Sequence, residues 1–143
     1  MGLVMGKISS CFNLKMRQAS RVLTSHYDSY LRPDGITVTQ FSILRSLWYM
    51  KSTSQKDLQE VLVLQQTTLT RNLKPLIRDG YIQIKPSPED GRIKLVSLTQ
   101  QGKDLFQQAR KNWKSAQAAL SNRLGKEKGE QLVELADAII ELG

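Results

Sequence analysis

Apolar residues recur every three or four positions along most of this chain, and the rhythm breaks at only a few places. From about Lys7 to Leu31 they fall at Ile8, Phe12, Ala19, Leu23, Tyr27 and Tyr30, with Val22 and His26 alongside and no Pro or Gly between. That spacing predicts one helix. Arg32-Pro33-Asp34-Gly35 ends it, since Pro disfavours helix in the residue before it and Gly suits a left-handed turn. Thr37 with Gln40 three residues on makes a capping box, opening a helix through Phe41, Leu44, Leu47 and Trp48. Lys51-Ser52-Thr53 breaks that helix, and Ser54, with Asp57 at the third position, opens a short one.

A longer helix is predicted over residues 66 to 79. Leu69, Leu73, Leu76 and Ile77 form its buried side, while Gln66, Thr67, Thr70, Arg71 and Lys74 fall largely on one polar side. Gln65 is a poor cap for it. Pro75 removes the bond that its N–H would make to the carbonyl of Arg71, which predicts a bend or a tightened end there. Tyr81 to Lys85 alternates, with Ile82 and Ile84 on one face and Gln83 and Lys85 on the other, as in a half-buried strand. Pro86 to Ile93 is a turn, and Ile93 to Leu98 is β-branched and apolar but alternates too poorly to name its inward face. Thr99 then caps a long helix with Leu105, Phe106, Ala109, Trp113, Ala116, Leu120 and Leu124 on one stripe. Gly125 breaks it, and a last helix runs from Glu127 to about Leu142 through Leu132, Leu135, Ala136, Ile139 and Ile140. The predicted order is four helices, a hairpin and two helices, with no repeat or low-complexity tract.

This is a mainly α chain with a small β-hairpin wing, the order of a winged helix-turn-helix. In such a pair the first helix, Ser54-Gln55-Lys56-Asp57-Leu58 onward, buttresses the second, which lies in the major groove. Gln and Arg pair bidentately with adenine and guanine edges, and Thr meets a thymine methyl or a phosphate, so the polar side of residues 66 to 74 suits base reading. Ser54, Gln55 and Thr68 suit phosphate contacts, which set register without reading a base. In the wing, Gly91 permits a tight turn, Arg92 is the natural minor-groove finger and Lys94 adds positive charge behind it. Asp90 suits a different task, holding Arg92 or another basic side chain by a charge-assisted hydrogen bond.

Charge agrees but adds little. The net charge of +8 and pI of about 9.8 favour a polyanionic partner. Residues 61 to 94 carry six Lys/Arg against three acids and the first fifty carry six against two, so the excess is not confined to the reader. A single cysteine, Cys11, rules out an internal disulfide framework and fits a reducing cytoplasm. No apolar run approaches the roughly 20 residues of a membrane span, and Met1 to Ile8 is too short and too weakly charged for a secretory signal. A cytoplasmic protein without membrane association is expected.

The residues also carry a resemblance. Thr68-Leu69-Thr70-Arg71 through Leu76 to Gly80-Tyr81-Ile82, Asp90-Gly91-Arg92, Leu98-Thr99-Gln100-Gln101-Gly102 and the linker Leu31 to Gln40 resemble the multiple antibiotic resistance regulator (MarR) family of winged-helix repressors. The match covers nearly the whole length. It implies an obligate dimer, a palindromic operator, and a ligand or oxidant that loosens DNA binding. On that reading residues 1-143 form one domain, with a winged helix-turn-helix at 37-98 flanked by dimerisation helices at 1-31 and 99-143. The apolar stripes at both ends agree, because two-fold symmetry doubles the contacts on a palindrome.

Catalysis is not expected. Cys11 and His26 lie fifteen residues apart on one predicted helix, about 22 Å, and no nucleophile triad, phosphate loop or metal-ligand cluster is present. No cofactor is implied. Cys11 stands between two readings, a buried structural residue or a redox sensor as in a peroxide-sensing branch of the resembled family. That branch tends to have an aromatic where Lys15 stands. His26 likewise reads as a satisfied interior or interface residue, or as part of an effector pocket with Tyr30 and Trp48. The function expected is a sequence-specific transcriptional regulator acting as a homodimeric repressor on double-stranded DNA. The residues leave open a different class, a helical protein-interaction module that binds DNA only non-specifically.

Overall fold

A computed structural model describes residues 1–143. Its helices are α1 (Gly2–Ser9), α2 (Phe12–Leu31), α3 (Val38–Met50), α4 (Gln55–Leu62), α5 (Gln66–Arg78), α6 (Gln100–Leu124) and α7 (Lys126–Ile140). The strands are β1 (Ser52–Ser54), β2 (Ile82–Pro86) and β3 (Lys94–Leu98), and a 3-10 turn covers Arg32–Asp34.

The capping positions act as their spacing predicts. Thr37 Oγ1 accepts from the Gln40 N–H at 3.2 Å while Gln40 Oε1 accepts from the Thr37 N–H at 3.0 Å. Ser54 Oγ accepts from the Asp57 N–H at 3.1 Å, and Thr99 Oγ1 from the Gly102 N–H at 3.0 Å. Gln65 makes no side-chain cap, and α5 nevertheless starts at Gln66 and runs through Pro75 to Arg78. Gly35 takes the left-handed conformation (φ 73°) that ends the turn after α2.

Two elements depart from expectation. The helix predicted from about Lys7 is broken at Ser10 and Cys11. The Ser9 hydroxyl donates back to the Met5 carbonyl and that of Ser10 to the Lys7 carbonyl at 2.8 Å, and Cys11 then turns extended (ψ 112°) before α2 begins. Serine hydroxyls compete with the helix ladder in this way. The segment Ser52–Ser54, expected as part of a helix breaker and the cap of the next helix, is a third strand. It pairs antiparallel with β3, Thr53 opposite Val96, giving the sheet order β1-β3-β2.

The core lies where α3, α4, α5 and α6 meet the sheet. Phe41, Ile43, Leu44 and Leu47 of α3 meet Leu58 of α4, Leu69, Leu73 and Leu76 of α5, Ile82 and Val96 of the sheet, and Phe106 of α6, all nearly fully buried. Strand β3 points Val96 and Leu98 inward, and Ile82 faces Leu98 across the ladder. Rings stack through the centre, with Phe41 at 5.5 Å from Phe106 and 5.7 Å from Trp113. The outer helices differ. α1 and α7 bury no residue, α2 buries only Leu31, and Leu3, Val4, Phe12, Leu135, Ile139 and Ile140 stand exposed.

Candidate nucleic-acid interface

On α5, at 3.6 residues per turn, Gln66, Thr70, Lys74, Thr67 and Arg71 fall within an arc of about 140°. All five are exposed, while Leu69, Leu73 and Leu76 anchor the opposite side in the core. Thr68 sits at the edge of this arc, half-buried, its carbonyl accepting from Asn72 Nδ2 at 2.8 Å. Neither Arg71 nor Lys74 has an acidic partner, since the only ion pairs are Arg78–Asp79 and Arg92–Asp90. The polar face is therefore held by its backbone and open at its side chains.

Helix α4 widens this surface. A crevice of about 220 Å³ is lined by Gln55, Lys56 and Gln59 of α4 and by Gln66, Leu69 and Thr70 of α5. It brings Gln55 beside the reading face and adds Lys56 and Gln59, which the sequence did not single out. Only nearness to Gln55 marked them in the sequence, and the packing of α4 on α5 is what brings them to the arc. Ser54 caps α4 with its oxygen, so its hydroxyl hydrogen stays free to donate.

The wing is a hairpin whose ladder runs from Ile82 opposite Leu98 to Pro86 opposite Lys94. At its tip Asp90 Oδ1 accepts from the Arg92 N–H at 3.0 Å and from Nε at 3.1 Å, and Oδ2 accepts from Nη2 at 3.2 Å. These bonds to Arg92 hold the Asp90 carboxyl below the usual carboxylate range. The guanidinium is pinned although its side chain is 92% exposed. The assignment of Asp90 as the clamp on Arg92 thus matches the geometry. The expectation that Gly91 permits the turn is corrected. Gly91 lies outside the left-handed region and a Cβ there would meet nothing within 4 Å, so the side-chain-to-backbone bond of Asp90 makes the turn instead. Lys94, at the start of β3, is exposed.

The remaining candidates do not converge. Cys11 is exposed at the break between α1 and α2, which corrects the packed reading within this chain. His26 Nε2 bonds the Ala116 carbonyl at 2.9 Å, and its ring lies 5.0 Å from Tyr30, a histidine of α2 satisfied by α6. Trp48 packs instead on Phe106, 5.0 Å away and ten residues along α6 from Ala116, about 15 Å by helical rise. The pocket expected from His26, Tyr30 and Trp48 together is thereby corrected to two separate contacts. Beside His26, the Tyr27 hydroxyl bonds Gln117, and burial raises its pKa.

The family model for the MarR family matches residues 36–94, which span the reader and the wing through Lys94. With the organic hydroperoxide resistance transcriptional regulator of Bacillus subtilis the chain is 37% identical over 91 residues, 64% of this chain and 62% of that one. The chain spans about half to three fifths of the length of the curated relatives it matches. Solved structures cover more. The M. tuberculosis transcriptional regulator MosR in complex with DNA superposes with a TM-score of 0.78 at 32% identity, over 90% of this chain and 96% of that one. A mutant MarR from E. coli complexed with operator DNA superposes with a TM-score of 0.78 at 26% identity, over 87% and 89%.

Proposed function

This chain belongs to the MarR family of transcriptional regulators, and from there we propose that it is a sequence-specific repressor that binds a palindromic operator as a homodimer and is released by a small ligand or an oxidant. One observation carries the reading. The exposed, unpaired arc Gln66, Thr67, Thr70, Arg71 and Lys74 stands on the same domain as a wing arginine already clamped at its tip. A preset guanidinium loses less freedom on meeting a narrow minor groove, and an arc of Gln, Thr and Arg matches base edges in the major groove. Ser54, Gln55, Lys56 and Thr68 flank the arc as phosphate contacts, and the uncapped first turn of α5 offers free N–H groups to another. No helix is long and apolar enough to cross a membrane, and the cytoplasm is where such a regulator meets DNA.

The dimer is supported by the outer helices, whose apolar faces at α1, α2 and α7 are left open by a single chain. Release by an oxidant is supported by the exposure of Cys11 and by the likeness to a regulator named for organic hydroperoxide resistance. Cys11→Ser then keeps operator binding and resists release by organic peroxide. Equal release of wild type and variant leaves a small ligand as the signal.

The test is selection of duplexes from a random pool by the purified protein, followed by competition at physiological salt. The expected result is an inverted repeat bound at least about 10³-fold more tightly than random duplex. Equal affinity for both would overturn the proposal and leave the protein-interaction reading, in which the exposed outer helices do the binding.

A further inference from the structure

The reading helix and the helix leading to the outer bundle meet at one side chain. Helix α5 leaves through a left-handed Gly80 (φ 82°), with the Gly80 N–H on the Ile77 carbonyl at 3.1 Å and the Tyr81 N–H on the Leu76 carbonyl at 2.9 Å. Thr99 closes over this exit. Its N–H donates to the Tyr81 carbonyl at 3.1 Å and its hydroxyl donates to the Gly80 carbonyl at 2.6 Å. The same hydroxyl accepts from the Gly102 N–H at 3.0 Å, inside the first turn of α6. One residue thus links the end of α5, the base of the wing and the start of α6. A hydroxyl has one hydrogen to donate, and here it goes to α5 rather than to solvent.

The link matters because α6 is a lever. Its 25 residues extend about 37 Å and pack against α2, α3 and α7. A swing of about 5° at its start moves the far end by about 3 Å, close to the rise of one base pair. We propose that Thr99 is a positioning residue for operator reading: by bonding the exit of α5 to the start of α6 it fixes the angle between them and so sets the half-site spacing that a dimer accepts. The proposal rests on the palindrome-binding reading above and adds to it the residue that holds the spacing.

Two substitutions separate this role from simple helix capping. Thr99→Asp still accepts from the Gly102 N–H and caps α6, but an ionised carboxylate has no hydrogen for the Gly80 carbonyl. Thr99→Ser keeps both functions. Each protein is measured on the inverted repeat selected by wild type and on duplexes with one base pair added or removed between the half-sites. That change shifts the half-sites by about 3.4 Å and turns them by about 35°. Taking the ratio of affinities for the three duplexes removes any uniform effect of the added charge.

Wild type and Thr99→Ser should discriminate against the altered spacings by about 100-fold, and Thr99→Asp by about tenfold or less, with its helical signal close to wild type and its melting point lower by only the few degrees that loss of one hydrogen bond implies. Wild-type discrimination in Thr99→Asp would overturn the role. So would an affinity loss equal on all three duplexes, which is what the added charge alone predicts. Failure of wild type to select any inverted repeat overturns the functional reading first, and this one with it.

Discussion

Gly102 stands where α6 presses on the base of the wing, and adding one methyl group there has a sign that can be worked out in advance. In an open helical position Gly→Ala stabilises by about 0.4–1 kcal/mol, because the unfolded chain loses freedom. At Gly102 the new Cβ would lie 2.0 Å from the Tyr81 carbonyl oxygen, 2.9 Å from its carbon and 3.3 Å from its Cα. Ordinary contact begins at 3.4 Å, so the two backbones must part by roughly 1.4 Å. No flexible side chain is available to give way. The movement breaks the bonds that close on this point: Thr99 N–H to Tyr81 at 3.1 Å, Thr99 Oγ1 to Gly80 at 2.6 Å and Gly102 N–H to Thr99 at 3.0 Å.

At about 1 kcal/mol each, those bonds outweigh the entropic gain, and residual overpacking adds more. The expected net loss is about 2–4 kcal/mol, or a melting point lower by about 6–12 °C for a domain of this size. The assay is thermal unfolding by circular dichroism at one fixed protein concentration, with Gly91→Ala as control. Gly91 has open space around it and lies outside the left-handed region, so the same change there should stay within about 0.5 kcal/mol. A Gly102→Ala protein that melts at or above wild type would refute the close approach of α6 to Tyr81.

Val63 closes α4 in the left-handed region (φ 53°) although it is β-branched and exposed, so Val63→Gly should stabilise by about 0.5–1 kcal/mol in urea unfolding. A loss of stability there would contradict the strain. Arg71→Ala should cost about 1–3 kcal/mol on the selected operator and blur one base position, whereas Arg92→Ala should weaken many sequences evenly and lower the salt slope by about one. Affinities across operator variants and salt concentrations distinguish the two. Asp90 should titrate below the ordinary carboxylate range in a side-chain NMR titration. Because its folded value lies under the unfolded one, the clamp is complete at neutral pH and is lost only as pH falls through that folded value, and Arg92→Ala, which removes the guanidinium but keeps the backbone N–H, should return Asp90 only part of the way to normal. Replacing Ile139 and Ile140 together by Asp should yield monomers in sedimentation and weaken operator binding. A monomeric variant binding the palindrome at full affinity would separate dimerisation from reading.

What could be read in advance follows the range of the forces involved. Caps at Thr37, Ser54 and Thr99 are three-residue devices, and each was legible because donor and acceptor are near neighbours in sequence. β1 was not legible. Its Ser-Thr-Ser carries no apolar run, and it is a strand only because Thr53 finds Val96 more than forty residues away. The break at Ser10 and Cys11 was hidden for the opposite reason: Ile8 and Phe12 keep the helical period across it while the serine hydroxyls undo the backbone beneath. Glycines divided likewise. Gly91 looked like the turn residue and is replaceable by geometry, whereas Gly102 entered only as part of the resemblance and sits against the Tyr81 carbonyl, twenty-one residues away.

The interface divides along the same line. One side of one helix is a local property, so Gln66, Thr67, Thr70, Arg71 and Lys74 could be named from period alone. Lys56 joins them only because α4 folds against α5. His26 and Trp48 belong to different helices, and shared aromatic character says nothing about where along α6 each will land. The outer helices are the extreme case. Their apolar stripes predict helices, and helices form, yet Leu135, Ile139 and Ile140 stay exposed because nothing in one chain covers them. Period decides which face is apolar, and the partner decides whether that face is buried. For a DNA-binding regulator that pairs as proposed, the division is useful, since the winged helix-turn-helix closes its own core while affinity for a two-fold site would depend on how many copies are present to pair.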